Sequence, residues 1–183
     1  MKASPRTILS LLLLLSLSYA CHDRQTGQVV TTTQEAATDK NAPYVEGNKK
    51  IVQWESEEID LFIKRYGWNT TKTGTGLRIE ILRAGEGDLF QEGDRVELQY
   101  KTFLLSGELV YSSGQDGVKE FTVGRSEEIA GLHEAVQMLR PGAKARLVIP
   151  SHLAYGVAGD GNRIIGRVPV AITIDTIILH SHN

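Results

Sequence analysis

Cysteine occurs once in the 183 residues, at Cys21, so no intrachain disulfide can brace the fold. The longest apolar run is "ILSLLLLLSL", Ile8 to Leu17, about half of what a bilayer-crossing helix needs. Charge of one sign is not in excess: 20 Lys and Arg stand against 22 Asp and Glu. That balance argues against nucleic acid, whose phosphates call for a basic surplus. Nor is there a G-x-S-x-G elbow to present a nucleophilic serine. The histidines His22, His133, His152, His180 and His182 form no pair at metal-ligand spacing except the C-terminal "HSH", read as a chain end. Glycines at Gly156, Gly159 and Gly161 are spaced like a phosphate loop, but no GK[ST] triplet and no helical pattern follows them. The pair Glu127-Glu128 precedes a helix, where carboxylates favour the positive end of the dipole. No nucleophile, metal site, acid–base pair or cofactor is therefore expected. A reaction run by this chain would have to need none of them.

What is present divides the chain into four parts. Lys2 and Arg6 followed by the short apolar run read as a signal peptide over residues 1–20. The small residue Ala20 stands directly before Cys21, as in a lipoprotein signal, where the cysteine is acylated and begins the mature chain; plain secretion is the alternative. Acyl chains would tether the protein to a membrane, placing it in the cell envelope and facing the periplasm. Residues 21–45 are polar, rich in Thr and Gln, and read as the lipid anchor and a disordered spacer. In 46–76, Val52, Ile59, Phe62, Ile63 and Tyr66 fall on one helical face and Gly67 stops the helix. That helix, 48–66, either caps the domain or serves docking or dimerisation.

From residue 77 to 183 the period changes to two. Leu77, Ile79 and Ile81 alternate with polar residues, as do Val96, Leu98, Tyr100 and Thr102, Leu147 with Ile149, and Ile172 with Ile174. Between them "EEIAGLHEAVQML" repeats Ile129, Leu132, Val136 and Leu139 at three- and four-residue steps, and Arg140-Pro141-Gly142 ends it. Several strands, one amphipathic helix and two more strands make an α+β plan, an antiparallel sheet with a helix on one face. The stretch "AYGVAGDGNRIIGRVPV" (Ala154 to Val170) reads as a loose loop between two strands.

The stretches "DRVELQYKTFLLSGELVYSS", "EFTVGRSEEIAGLHEAVQMLRPGAKARLVIPSHLAYG" and "VAITIDTIIL" together resemble the FKBP-type peptidyl-prolyl cis–trans isomerases. The signal, the helix and the "GDGNRIIGR" insertion look like the gliding-motility-associated lipoprotein branch of Bacteroidetes. The resemblance implies a strongly curved antiparallel sheet around one helix, with an apolar pocket overhung by the glycine-rich loop. It implies proline-containing segments of exported proteins as substrates, with an apolar preference before the proline. Tyr155 matches the tyrosine whose hydroxyl bonds the substrate carbonyl, Ile129 the residue whose backbone N–H bonds the ligand, and Tyr100 a wall tyrosine. Leu132 takes the pocket floor, Ile174 the closing position, and the loop tip Ile164-Ile165 a shield. Val110 and Tyr111 replace a phenylalanine and an aspartate of the family, and Lys119 replaces an aromatic rim residue. Phe121 matches a core phenylalanine. The replacements leave open a catalytically weak chaperone or binding module of the same fold. From the residues alone, Tyr100, Ile129, Leu132 and Ile174 are equally readable as core.

Overall fold

Strands whose side chains alternate between two faces must bury both faces if both are apolar, and the central strands here are of that kind. The computed structural model describes residues 42–180; the signal segment, Cys21 and most of the spacer lie outside them. Helix α1 spans Ala42–Tyr66, followed by β1 (Thr71–Lys72), β2 (Arg78–Arg83), β3 (Arg95–Leu104) and β4 (Leu109–Ser112). A short helix α2 (Ser113–Asp116), β5 (Lys119–Thr122), α3 (Ala130–Gln137), β6 (Lys144–Ile149), a single 3₁₀ turn and β7 (Val170–Leu179) complete the order. The sheet runs β1-β2-β6-β7-β3-β4, with β5 also on β3, and every pairing is antiparallel.

On one face Leu147, Ile149, Ile172, Ile174, Val96 and Leu98 join Leu132, Val136 and Leu139 of the α3 segment in the main core. On the other face Val148 and Ala171 meet Ile59 and Phe62 of α1, with Leu105 beside them. The one-residue alternation that sends Leu147 to one core sends Val148 to the other. The expected α+β sheet with a helix on one face is therefore found, with α1 as a second cover on the opposite face.

Helix α1 begins at Ala42, inside the segment expected to be spacer. Pro43 in its first turn is no obstacle, because the N–H it lacks would have no helical partner there. Its end follows the expected stop. Gly67 takes φ +63, its N–H donates to the Lys64 carbonyl, and the Trp68 N–H reaches back to Ile63, a Schellman closure. Only the middle of the expected apolar face is buried: Ile59 and Phe62 are, whereas Val52 before them and Tyr66 after them are exposed. Polar contacts hold the rest of the helix. Arg78, 3% exposed, donates from β2 to Asp60 at 2.9 Å and Ser56 at 3.0 Å. Glu55 accepts from the Ser151 hydroxyl at 2.6 Å.

Helix α3 lies so close to β6 that a methyl group at Gly131 would stand 2.3 Å from Ile149 Cγ2. Gly131→Ala is therefore expected to force the helix off the sheet and to cost about 1–3 kcal/mol in denaturant melts. Unchanged stability would show that α3 can shift without loss.

Candidate functional site

Two irregularities in the strands set where the site falls. The register of β3 on β7 shifts between Gln99 and Tyr100, with Asp175 of β7 as the extra residue, a bulge that bends β7 beside Tyr100. On its other edge β3 is paired by β5 over Arg95–Leu98 and by β4 over Lys101–Phe103, leaving Tyr100 between two partners. Ser113 at the start of α2 fills the gap. The Tyr100 N–H donates to its Oγ at 3.1 Å, and its hydroxyl donates to the Tyr100 carbonyl at 3.3 Å. One side chain thus replaces a ladder residue and fixes Tyr100 in the wall. Helix α2 was not expected from the sequence.

Tyr100, Val110, Ile129, Leu132, Ile164 and Ile174 are buried in the main core, and Tyr111 and Tyr155 are half-buried against it. The fold therefore gathers all eight residues singled out in the sequence. Phe121 lies in the same core. Leu132 and Ile174 have no exposure at all, and Ile174 sits opposite Tyr100 in the β3–β7 register. The loop tip is not one unit: Ile164 turns inward at 3% exposed, and Ile165 turns out at 76%.

The loop expected to be loose is closed on itself. Gly159 N–H donates to the Tyr155 carbonyl at 3.1 Å, Asp160 N–H to Ile164 at 3.0 Å, and Arg167 N–H to Gly156 at 2.7 Å. A Cβ on Gly166 would overlap the Val157 carbonyl at 1.8 Å, so its glycine serves close approach. Asp160 Oδ1 accepts from the N–H groups of Asn162 and Ile164, each at 2.8 Å. Its Oδ2 takes the Tyr111 hydroxyl. Arg163 stacks 4.7 Å over the Tyr111 ring and donates to the Val110 carbonyl at 2.8 Å and Asp116 at 3.0 Å. Tyr111 is thus the post to which the loop is tied.

Electrostatics divide the three tyrosines from the carboxylates. Burial, then the nearby Glu128 and Asp160 carboxylates, pushes the Tyr155 phenol far above its ordinary value. It stays a hydrogen-bond donor across physiological pH, and among the described residues its hydroxyl has no hydrogen-bond partner. Burial followed by Asp116 and Glu128 raises Tyr100, and burial with the Asp160 hydrogen bond raises Tyr111. Burial alone would raise Asp160 as well, but the bonds from Tyr111 and from the backbone of Ile164, Asn162 and Arg163 hold its carboxyl low.

The Ile129 N–H is not open. Ile129 is extended at φ −61, ψ 139 and precedes α3, and its N–H donates to Glu128 Oε1 at 2.9 Å. Glu128 Oε2 accepts from Lys119 at 2.7 Å, and Lys119 lies 5.2 Å from the Tyr100 ring centre. No spacing along the chain signals this, since Glu128 reads as a favourable charge before a helix. A group able to hold a metal was also missed: Glu97, Glu120 and His180 bring one ligand atom each within 4.8 Å of one another. Register pairing places Glu97 beside Glu120, which no spacing along the chain reveals. Arg95 already pairs with Glu120 at 2.9 Å and the His180 ring lies 3.2 Å from Glu97, so contacts within the fold account for the cluster.

A carboxylate whose native pKa is depressed stabilises the fold above its unfolded value near 3.8 and stops doing so as pH falls through the native value. Wild type is expected to exceed Asp160→Asn by about 1–2 kcal/mol at pH 7. In denaturant melts the gap should stay level at higher pH and close towards about pH 2. A gap that persists at about pH 2 would contradict the role given to Asp160.

Residues 87–175 match the FKBP-type peptidyl-prolyl cis-trans isomerase family. FK506-binding protein 1A of Neurospora crassa is 37% identical over 95 residues, covering 51% of this chain and 75% of that protein. The probable FKBP-type isomerase FkpA of Neisseria meningitidis is 31% identical over 151 residues, covering 75% of this chain and 54% of its own length. Escherichia coli FkpA is 31% identical over 130 residues, with coverage of 71% and 45%. The chain thus spans about half the length of the FkpA proteins it matches. Among solved structures, a Pseudomonas syringae peptidyl-prolyl isomerase aligns with TM-score 0.58 at 28% identity, covering 73% of this chain and 93% of that one. The E. coli FkpA structure aligns with TM-score 0.59 at 22% identity, covering 99% and 83%, a likeness of fold. The chain belongs to the FKBP-type peptidyl-prolyl cis–trans isomerase family.

Proposed function

We propose that this protein is a peptidyl-prolyl isomerase that assists the folding of exported or cell-envelope proteins. Family membership supports the reaction. At the level of residues, the reading is carried by the Tyr155 hydroxyl, kept protonated and without a partner among the described residues, beside an apolar wall. Twisting a peptide bond costs ~18–20 kcal/mol because amide resonance is lost, and X–Pro bonds turn over only in tens to hundreds of seconds unaided. No covalent bond breaks, so orientation and polarity are the available levers. Walls faced by Tyr100, Val110, Ile129 and Ile164 and backed by the fully buried Leu132 and Ile174 favour the twisted amide, which is less polar than the planar one. Tyr155 donates to the displaced carbonyl, and the Ile129 N–H holds a second carbonyl once Glu128 has moved. Lowering the barrier by about 7 kcal/mol gives a rate gain of roughly 10⁵.

The remaining assignments rest on the sequence. Cys21 is the lipid-bearing residue, and the domain is tethered to a membrane facing the periplasm. The signal and the "GDGNRIIGR" insertion support a place among the gliding-motility-associated lipoproteins of Bacteroidetes, without implying a part in motility. Among the described residues no helix is long and apolar enough to cross a membrane. Exposed Trp54 and Leu61 of α1 offer an apolar strip for docking or dimerisation. A binding module with little turnover is the second reading, favoured by the Glu128 carboxylate on the Ile129 N–H.

The mature chain is expected to accelerate isomerisation of a Leu-Pro peptide, and Tyr155→Phe to lower kcat/KM about tenfold, the worth of one well-placed donor. No acceleration on the peptide or on an unfolded protein would leave the binding module. Cys21→Ser is expected to shift the protein from the membrane fraction to the soluble one on cell fractionation. Retention in the membrane fraction would refute the anchor.

A further inference from the structure

A single carboxylate occupies two binding positions at the wall of the site. Glu128 Oε1 takes the Ile129 N–H at 2.9 Å and its Oε2 takes the Lys119 ammonium at 2.7 Å. The side chains are only 23% and 13% exposed for Lys119 and Glu128, and Lys119 is bounded on another side by the Tyr100 ring. Charges this far from water are stable only while each has a partner. A substrate carbonyl can reach the Ile129 N–H only by displacing Glu128, and that removes the counter-ion of Lys119. A basic or neutral neighbour of the proline leaves the ammonium unpaired in a mostly apolar wall. An acidic neighbour supplies the missing carboxylate, so the incoming segment reproduces both contacts that Glu128 had made.

We propose that Lys119 and Glu128 form a specificity latch, which selects proline-containing segments with an acidic side chain next to the proline. Glu128 is a built-in stand-in for that side chain. The inference rests on the proposed use of the Ile129 N–H, and it departs from the apolar preference that the pocket walls alone imply. Lys119 and Glu128 are positioning residues here. They decide which segment is seated, and the amide is twisted elsewhere in the site.

The test uses two peptide series at low salt, with Glu, Leu or Lys either immediately before or immediately after the proline. The full mature chain is compared with Lys119→Met, Lys119→Arg and Glu128→Gln. Wild type is expected to favour Glu over Lys by about tenfold in kcat/KM in at least one series, the scale of a partly buried charge pair. Lys119→Met should bring that ratio to about one, and Lys119→Arg should keep it. Glu128→Gln, with the stand-in weakened, should raise rates on the Leu peptides. A wild-type ratio near one in both series, or a ratio that survives Lys119→Met, overturns the latch. Should no peptide be accelerated, the isomerase reading alone fails. The same Glu-to-Lys ratio is then read as peptide affinity from the NMR shift of the Ile129 amide, where a ratio near one, or no shift, overturns the latch.

Discussion

The antiparallel ladder of β7 between β6 and β3 is the constraint on which everything else rests. It holds Ile172 and Ile174 against the helix that carries Leu132, and by the same alternation it turns Ala171 towards α1. Its one irregularity falls between Gln99 and Tyr100, and the site grows out of that point. Tyr100 stays on the core face with Val96 and Leu98, and on the far edge of β3 it falls where β5 gives way to β4. At that break the strand needs Ser113 to complete the local hydrogen bonding, and Ser113 begins the short helix whose Asp116 accepts from Arg163 of the loop.

The site is apolar in its walls and charged at its margin. Arg163 with Asp116 and Tyr111 with Asp160 join segments remote in sequence, Lys119 with Glu128 closes a nine-residue span, and each holds a piece of backbone near the apolar cluster. The aspartate that the family resemblance places at position 111 is missing, yet a carboxylate is present close by, carried on the loop as Asp160. Tyr111 is the residue that meets it. Tyr111 is thus part of a paired arrangement, in which the phenol supplies the hydrogen and the loop supplies the charge.

Much of the architecture was legible because it is periodic. Val96, Leu98, Leu147 and Ile172 announce strands by alternation, and Ile129, Leu132, Val136 and Leu139 announce one helix face. The eight residues that the family motifs mark as candidates lie in or against one core cluster. The partners of those residues were not legible. Asp160 on Tyr111 and Arg78 on Asp60 join chain segments brought together only by folding, and the Glu128 carboxylate on its neighbour's N–H depends on a side-chain conformation that no spacing reveals. Helix α1 was read too short and too uniformly buried. Its apolar spacing fixed the face, but only packing against Val148 and Ala171 decided how much of that face is covered. The glycine-rich loop was read as slack because glycine permits many conformations. Here the same permission is used to make turns too tight for any other residue.

That closed loop bears on how a partner is received. Its turns are bonded internally, it is tied at Tyr111 and Asp116, and Ile164 is already seated in the core. Ordering a segment of this length at the moment of binding would consume a large part of the interaction free energy. In this chain that entropy is surrendered during folding, so an arriving peptide meets a finished wall and yields only its own freedom.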